Sequence, residues 1–185
     1  MYDPRIQDRR LSFGVSGLLW KRNLLFYDRE TDSLWSQLLG RAVAGPLAGT
    51  PVDEVAILPS MQPTWSAWKK QHPATLVLSF QTGYPMDYGR DPYEGFPLDR
   101  TPALVVSLGG KTRIYPFREL KKVGRILRDS LAGKEITIEF DEREGQAAAR
   151  RTNGAAVASF VAFLPDARAF YPKAEVFRHR QEARR

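Results

Sequence analysis

Residues 13–49, FGVSGLLWKRNLLFYDRETDSLWSQLLGRAVAGPLAG, alternate apolar runs with tight turns and charged side chains at short intervals. Phe13, Val15 and Leu18 are interleaved with Gly14, Ser16 and Gly17. Leu24, Leu25, Phe26 and Tyr27 follow Asn23, so two strands joined near Lys21 and Arg22 are expected. Asp28 to Asp32 supplies a polar turn. Leu34, Trp35, Leu38 and Leu39 resume the apolar pattern, and Gly40, Gly45-Pro46 and Gly49 cut it into short pieces. The stretch predicts a strand-rich core and carries no catalytic signature.

Tyr27-Asp28-Arg29-Glu30-Thr31, Ser33-Leu34-Trp35-Ser36-Gln37 and Ala44-Gly45-Pro46-Leu47-Ala48-Gly49-Thr50 carry a resemblance that continues downstream. It runs through Thr64-Trp65-Ser66-Ala67-Trp68, His72-Pro73, Thr82-Gly83-Tyr84 and Asp87-Tyr88-Gly89-Arg90-Asp91-Pro92-Tyr93. In these motifs and their order the chain resembles the bacterial family called domain of unknown function 3179, most strongly up to Tyr93. The resemblance bears on fold more than on function, since it brings no settled activity. Longer members of that family usually carry an upstream strand segment with a Tyr-Cys-Pro-Leu-Cys-like motif, and many are exported. The resemblance thus implies that this chain starts after that segment. The chain has no cysteine, so thiolate redox or soft-metal chemistry has no ligand here.

With 185 residues, 43% of them hydrophobic, the chain is long and apolar enough to bury a core as one large domain or two small ones. The formal net charge of +7 raises nucleic acid or an anionic surface as a partner. Much of the excess lies at Lys121, Lys122, Arg125, Arg128, Arg150 and Arg151, and in the terminal Arg178 to Arg185, which is expected to be a solvated basic tail. No zinc-finger spacing or aromatic RNA-binding signature accompanies it, so surface charge is the favoured reading over nucleic-acid binding. No run of about 18 to 20 apolar residues is present to span a bilayer. The polar start MYDPRIQDRR lacks a signal-peptide core, which places the protein in the cytoplasm if Met1 is the native start. If an upstream signal is missing, the expected location is outside the cytoplasm.

Taken in order, residues 1–10 are an extended lead-in with Ile6 to dock. Val52 to Leu58, between Pro51 and Pro59, reads as a short strand. Thr64 caps a helix on which Trp65, Trp68 and His72 share one face, ended by Pro73. Thr75 to Phe80, TLVLSF, reads as a strand. Residues 81–102 form a connector that Tyr84, Tyr88, Tyr93 and Phe96 pin down as a flap, or else a ligand-binding loop. Residues 103–108 and 112–117 make a hairpin around Gly109-Gly110-Lys111. A further hairpin turns at Ala132-Gly133-Lys134, with a helix over residues 117–131 as the alternative, and Gln146 to Thr152 is a strand before the Asn153-Gly154 turn.

Val157 to Phe170 aligns without a gap to Trp65 to Leu78, pairing Leu164 with His72 and Pro165 with Pro73. This similarity predicts a second helix over residues 157–164. It also predicts two related strand-rich units, one over residues 1–93 that is truncated at its start and one over residues 103–177. A truncated first unit leaves a sheet edge uncovered, and a homodimer through that edge is one expected consequence.

No catalytic set can be assembled. Ser16 falls one residue short of a Gly-x-Ser-x-Gly elbow, and no Gly-x-Gly-x-x-Gly phosphate loop opens a helix. His72 and His179 are the sole histidines and no metal-ligand spacing occurs, so neither metal nor cofactor is expected. His179 is expected to be incidental, and His72 to be a packed helix-end residue. Asp28, Arg29, Trp35 and Gln37 combine a carboxylate, a forked cation, an indole and an amide within ten residues. Together with Trp65, Trp68 and His72 they are the candidate ligand-binding residues, with an Asp28–Arg29 pair fixing the turn as the competing reading.

The whole predicts an α+β, mainly antiparallel β protein, most simply a non-catalytic small-ligand-binding or structural module. The alternatives are a metal-handling or redox enzyme whose key groups lie upstream, and an anion or nucleic-acid binder acting through net charge.

Overall fold

The computed structural model describes residues 2–60, 62–85, 89, 94–95 and 99–179. A small hairpin, β1 (Arg5–Ile6) and β2 (Arg9–Arg10), leads into β3 (Phe13–Trp20), β4 (Asn23–Asp28), β5 (Leu34–Ser36) and β6 (Arg41–Ala44). These last four form an antiparallel sheet in sequence order. The β3–β4 turn is only Lys21-Arg22, both with positive φ (50° and 65°), the twist that suits a two-residue hairpin. A bulge between Val15 and Leu19 interrupts β3, and Ser16 bridges it: its hydroxyl donates to the Leu25 carbonyl at 2.6 Å and accepts from the Leu18 N–H at 3.1 Å.

Helix α1 (Trp65–Gln71) begins at Thr64, whose hydroxyl accepts from the Ala67 N–H at 3.3 Å. Next come the hairpin β7 (Pro102–Leu108) and β8 (Lys111–Pro116), α2 (Phe117–Val123), β9 (Ile126–Leu131), β10 (Lys134–Asp141), β11 (Gln146–Arg151) and β12 (Ser159–Phe163). The chain continues through α3 (Leu164–Phe170) to β13 (Glu175–Val176). One sheet runs β12-β7-β8-β13, with only the short β8–β13 pair parallel; the other runs β11-β10-β9. The helix alternative over residues 117–131 stops at Gly124, whose φ of 103° an L side chain tolerates poorly, and β9 then pairs with β10.

Strand β7 is buried on both faces, which explains its unbroken apolar run. Leu104, Val106 and Leu108 meet Ile136, Ile138 and Phe140 of β10, whereas Ala103 and Val105 meet Leu164, Ala167 and Phe170 of α3. Leu38, from the turn after β5, is buried in this second cluster. The Tyr171 hydroxyl donates to the Leu38 carbonyl at 2.7 Å, and Trp20 packs edge-on against Phe170 at 5.2 Å. A third cluster of Leu11, Trp35, Ala42 and Val55 fills the N-terminal sheet.

Several local expectations are corrected. Residues 157–164 are not a helix: Ser159–Phe163 pairs with β7, with Phe160 opposite Val105, and Pro165 lies in the first turn of α3. Proline is favoured where a helix begins because its missing N–H has no partner there. Trp65 to His72 and Val157 to Leu164 therefore align in sequence without sharing a conformation. Thr75 to Phe80 forms no strand, and Leu76, Val77, Leu78 and Phe80 are exposed. Residues 52–58 contribute only two single bridges, Arg41 to Glu54 and Tyr2 to Ile57. Of the aromatic connector, Tyr84 is exposed, and Tyr88, Tyr93 and Phe96 lie outside the described residues.

Candidate functional site

The turn that follows β4 is organised by Asp28. Its buried carboxylate accepts from the Thr31 N–H at 2.6 Å, from the Thr31 hydroxyl at 2.8 Å and from the Trp35 indole N–H at 2.7 Å. An aspartate bonding the backbone N–H three residues on holds a turn closed, and here it also fixes the rotamer of the following tryptophan. Ser33 extends the network, since its hydroxyl lies 2.8 Å from that of Thr31 and accepts from the Leu47 N–H at 3.0 Å. Arg29 does not pair with Asp28. Its guanidinium donates to the Tyr27 hydroxyl at 3.0 Å and lies over the Tyr27 ring.

Trp35 thus presents a fixed indole between Asp28 and a cavity. Phe13 packs edge-on against it with ring centres 5.5 Å apart. The cavity, of about 280 Å³, has walls of Trp35, Phe13, Val15, Phe26, Val55 and Tyr2, with Gln37 and Ser36 as polar members. Gly14 and Gly40 also border it. A Cβ on Gly40 would stand 2.8 Å from the Tyr2 ring and 3.2 Å from the Val55 carbonyl, so the close approach of these walls requires glycine. Burial raises the Tyr2 phenol well above its ordinary range, leaving it a neutral hydroxyl at neutral pH.

Of the predicted residues, Trp35 and Gln37 border this cavity, Asp28 buttresses it from behind, and Arg29 lies with Tyr27. Trp65, Trp68 and His72 share a helix face, as their spacing requires, but that face is exposed. His72 is not packed into a core; its ring lies 4.0 Å from that of Trp68, whose indole N–H donates to Thr75 at 2.9 Å. The walls contributed by Tyr2, Phe13 and Val55 were not legible as site residues, because only the fold carries them to Trp35.

A second polar centre, which no sequence motif marks, joins β8, β9 and β13. Arg113 donates to both Asp129 oxygens at 2.7 and 2.8 Å and to Glu175, and the buried Tyr115 hydroxyl donates to Asp129 at 2.8 Å. These carboxylates hold the Arg113 guanidinium even more firmly charged, and burial raises the Tyr115 phenol. All four groups are satisfied by one another, as in a structural network.

Several of the basic residues have acidic partners: Lys121 pairs with Glu142, Lys122 with Glu119, Arg125 with Asp141 and Arg150 with Glu139. Among the described residues no three His, Asp or Glu side chains converge as a metal-ligand set, and no helix is long and apolar enough to cross a membrane.

Comparison with curated proteins and with solved structures found no match. The sequence model of one family matches residues 1–185, the whole chain, in keeping with the Tyr27 to Gln37 motif that builds the Asp28–Trp35 turn, and the chain therefore belongs to the family described as Protein of unknown function (DUF3179).

Proposed function

We propose that the protein is a non-catalytic small-ligand-binding module whose site is the cavity beside Trp35. The observation that carries this reading is a concavity walled by aromatic and aliphatic side chains, with the Gln37 amide at its border and Trp35 locked from behind by Asp28. A rigid apolar wall with few polar groups is the common make-up of small-molecule sites. At about 280 Å³ it lies near the lower end of the range of roughly 300 to 1,000 Å³ for such sites, which favours a compact neutral aromatic ligand. The Gln37 amide supplies both donor and acceptor for a polar substituent.

Indole, followed through the protein's stability against heat and by NMR, is a suitable first probe. Saturable binding that Gln37→Ala weakens and Arg128→Gln leaves unchanged supports the reading. Binding that is absent, or indifferent to Gln37, removes it.

A second reading, self-association, is favoured by β3. It is an edge strand with Val15 and Leu19 66% and 68% exposed, and residues 13–20 include no charged side chain to oppose strand pairing. Sedimentation should then give a dimer that Leu19→Lys converts to monomer. A monomeric parent protein would exclude this reading.

A further inference from the structure

Helices α2 and α3 and the segment after β13 enclose a separate cavity of about 380 Å³. Four cations line it: Arg118 and Lys122 from α2, Arg168 from α3 and Arg178 from the C-terminal segment. Glu119 is the sole carboxylate among the described residues that line it. Its oxygens accept from Lys122 at 2.9 and 3.0 Å and from the His179 backbone N–H at 3.2 Å, and Arg118 lies 3.9 Å from it. Glu119 thus ties α2 to the C-terminal segment and fixes where Lys122 and His179 stand. Its carboxyl is held below the usual range, chiefly by the Lys122 hydrogen bond, so it stays charged at neutral pH.

One carboxylate cannot balance four cations. Among the described residues Arg168 and Arg178 have no ion pair, whereas the neighbouring basic residues Lys121 and Arg125 each have one outside this cavity. Arg178 is exposed, and both of its neighbours are anchored: the His179 N–H bonds Glu119, and Phe177 packs on the fold. The Phe177 N–H donates to the Ile114 carbonyl at 2.8 Å and its ring lies 5.6 Å from Tyr115. Charges of one sign held around a concavity repel one another, and an anion bound among them relieves that cost. The excess of three positive charges exceeds what a monocarboxylate neutralises and suits a dianionic head, for which guanidinium forks are well shaped.

Pro116, Leu164, Val176 and Phe177 add apolar surface to the same cavity. Its ligand therefore has an apolar body attached to its anionic head. Residues with exposed apolar stems and charged tips serve both parts.

We infer that this cavity is a binding site for the phosphate monoester of a small apolar or aromatic group, distinct from the cavity beside Trp35. The probe that tests it is phenyl phosphate, titrated calorimetrically into the full chain at low salt, with inorganic phosphate in parallel. Phenyl phosphate should saturate one site and bind more tightly than inorganic phosphate. Arg168→Gln and Arg178→Gln should each weaken it roughly tenfold, as expected for a lost charge-assisted hydrogen bond. Arg128→Gln, which removes the same charge from an exposed position of β9, should leave affinity within about twofold.

Absence of a saturable isotherm overturns the proposal. So does an equal loss in all three variants, which would mean that net charge alone attracts the probe. Tighter or equal binding of inorganic phosphate overturns the role of the apolar surface. Displacement of phenyl phosphate by vesicles containing phosphatidic acid identifies the ester as a lipid headgroup, and displacement only by soluble esters identifies it as a small molecule; either supports the site.

Discussion

The indole N–H of Trp35 donates to the Asp28 carboxylate at 2.7 Å, with Trp35 2% exposed and Asp28 fully buried. Two residues seven apart are thereby locked across the β4–β5 turn. Asp28→Ala leaves the Trp35 N–H and the Thr31 donors without their acceptor, and should cost about 3 kcal/mol of stability. Trp35→Phe retains a ring while removing the donor, and should cost about 2 kcal/mol. Urea unfolding of both single variants and the double variant checks this. The double loss should fall short of the sum, because both changes remove the same bond.

Gly45 stands in the left-handed region at φ 89°, and a Cβ there would lie 2.7 Å from the Ser33 Cα, a backbone atom that cannot swing aside. Gly17 has φ 74° with open space around it. Gly45→Ala should therefore destabilise by about 3 kcal/mol and Gly17→Ala by about 1 kcal/mol. Equal denaturation midpoints for the two variants would contradict the packing of Gly45 on Ser33.

Burial pushes the Tyr171 phenol from 10.0 up to about 12, while its hydroxyl remains bonded to the Leu38 carbonyl. In the unfolded chain the same phenol ionises near its ordinary value. The unfolded state therefore loses this proton first, and the contribution to stability is full below pH 10 and falls as pH rises toward about 12. Tyr171→Phe should be less stable at neutral pH, by about 1 kcal/mol for the lost hydrogen bond, and should lose less stability on going alkaline. Urea midpoints across the alkaline range measure the difference in slope.

Asp129 is the shared acceptor of Arg113 and the buried Tyr115 hydroxyl. Asp129→Ala should cost about 3 to 5 kcal/mol because it leaves a partly buried guanidinium and a phenol short of partners. Tyr115→Phe removes one neutral donor and should cost about 1 to 2 kcal/mol. Thermal unfolding of the two variants should preserve that order.

Leu78 is 89% exposed. Leu78→Ser should change stability by less than about 0.5 kcal/mol, where a core strand position would lose several times more. Solubility should rise, since Leu76, Val77 and Phe80 add to the same exposed apolar run. A large loss of stability in urea would mean that residues 75–80 are packed.

Period and turn chemistry made the hairpins legible. Lys21-Arg22 and Gly109-Gly110 join strands at the places where the apolar alternation breaks, and local backbone preferences decide such turns. Thr64 was equally legible as a cap, because its bond to Ala67 spans only three residues. The segments over residues 75–80 and 157–164 misled for one reason: a short apolar run fits a strand or a helix, and its partner decides. Ser159–Phe163 found β7, whereas residues 75–80 pair with no strand among the described residues.

The candidate site divides in the same way. Asp28, Trp35 and Gln37 stood out as a compact mixture of chemistries, and the Asp28 turn is local enough to follow from spacing. Asp28 does not take its neighbour in sequence as partner: Arg29 points to Tyr27, and the indole seven residues on takes the carboxylate. Asp28 ends β4 with its side chain buried, whereas Arg29 is the exposed first residue of the turn, so adjacency in sequence brings no contact.

By itself the sequence determined the antiparallel, strand-rich class, the hairpin turns, the Thr64 cap and the lack of cysteine in these 185 residues, all of which depend on composition or on contacts within a few residues. Tertiary structure alone decided that Tyr2 and Val55 wall a cavity with Trp35, and that Arg118 and Arg178 share another. These groupings join residues far apart in the chain, and the burial that brings them together is non-directional, leaving no local mark on the residues it selects.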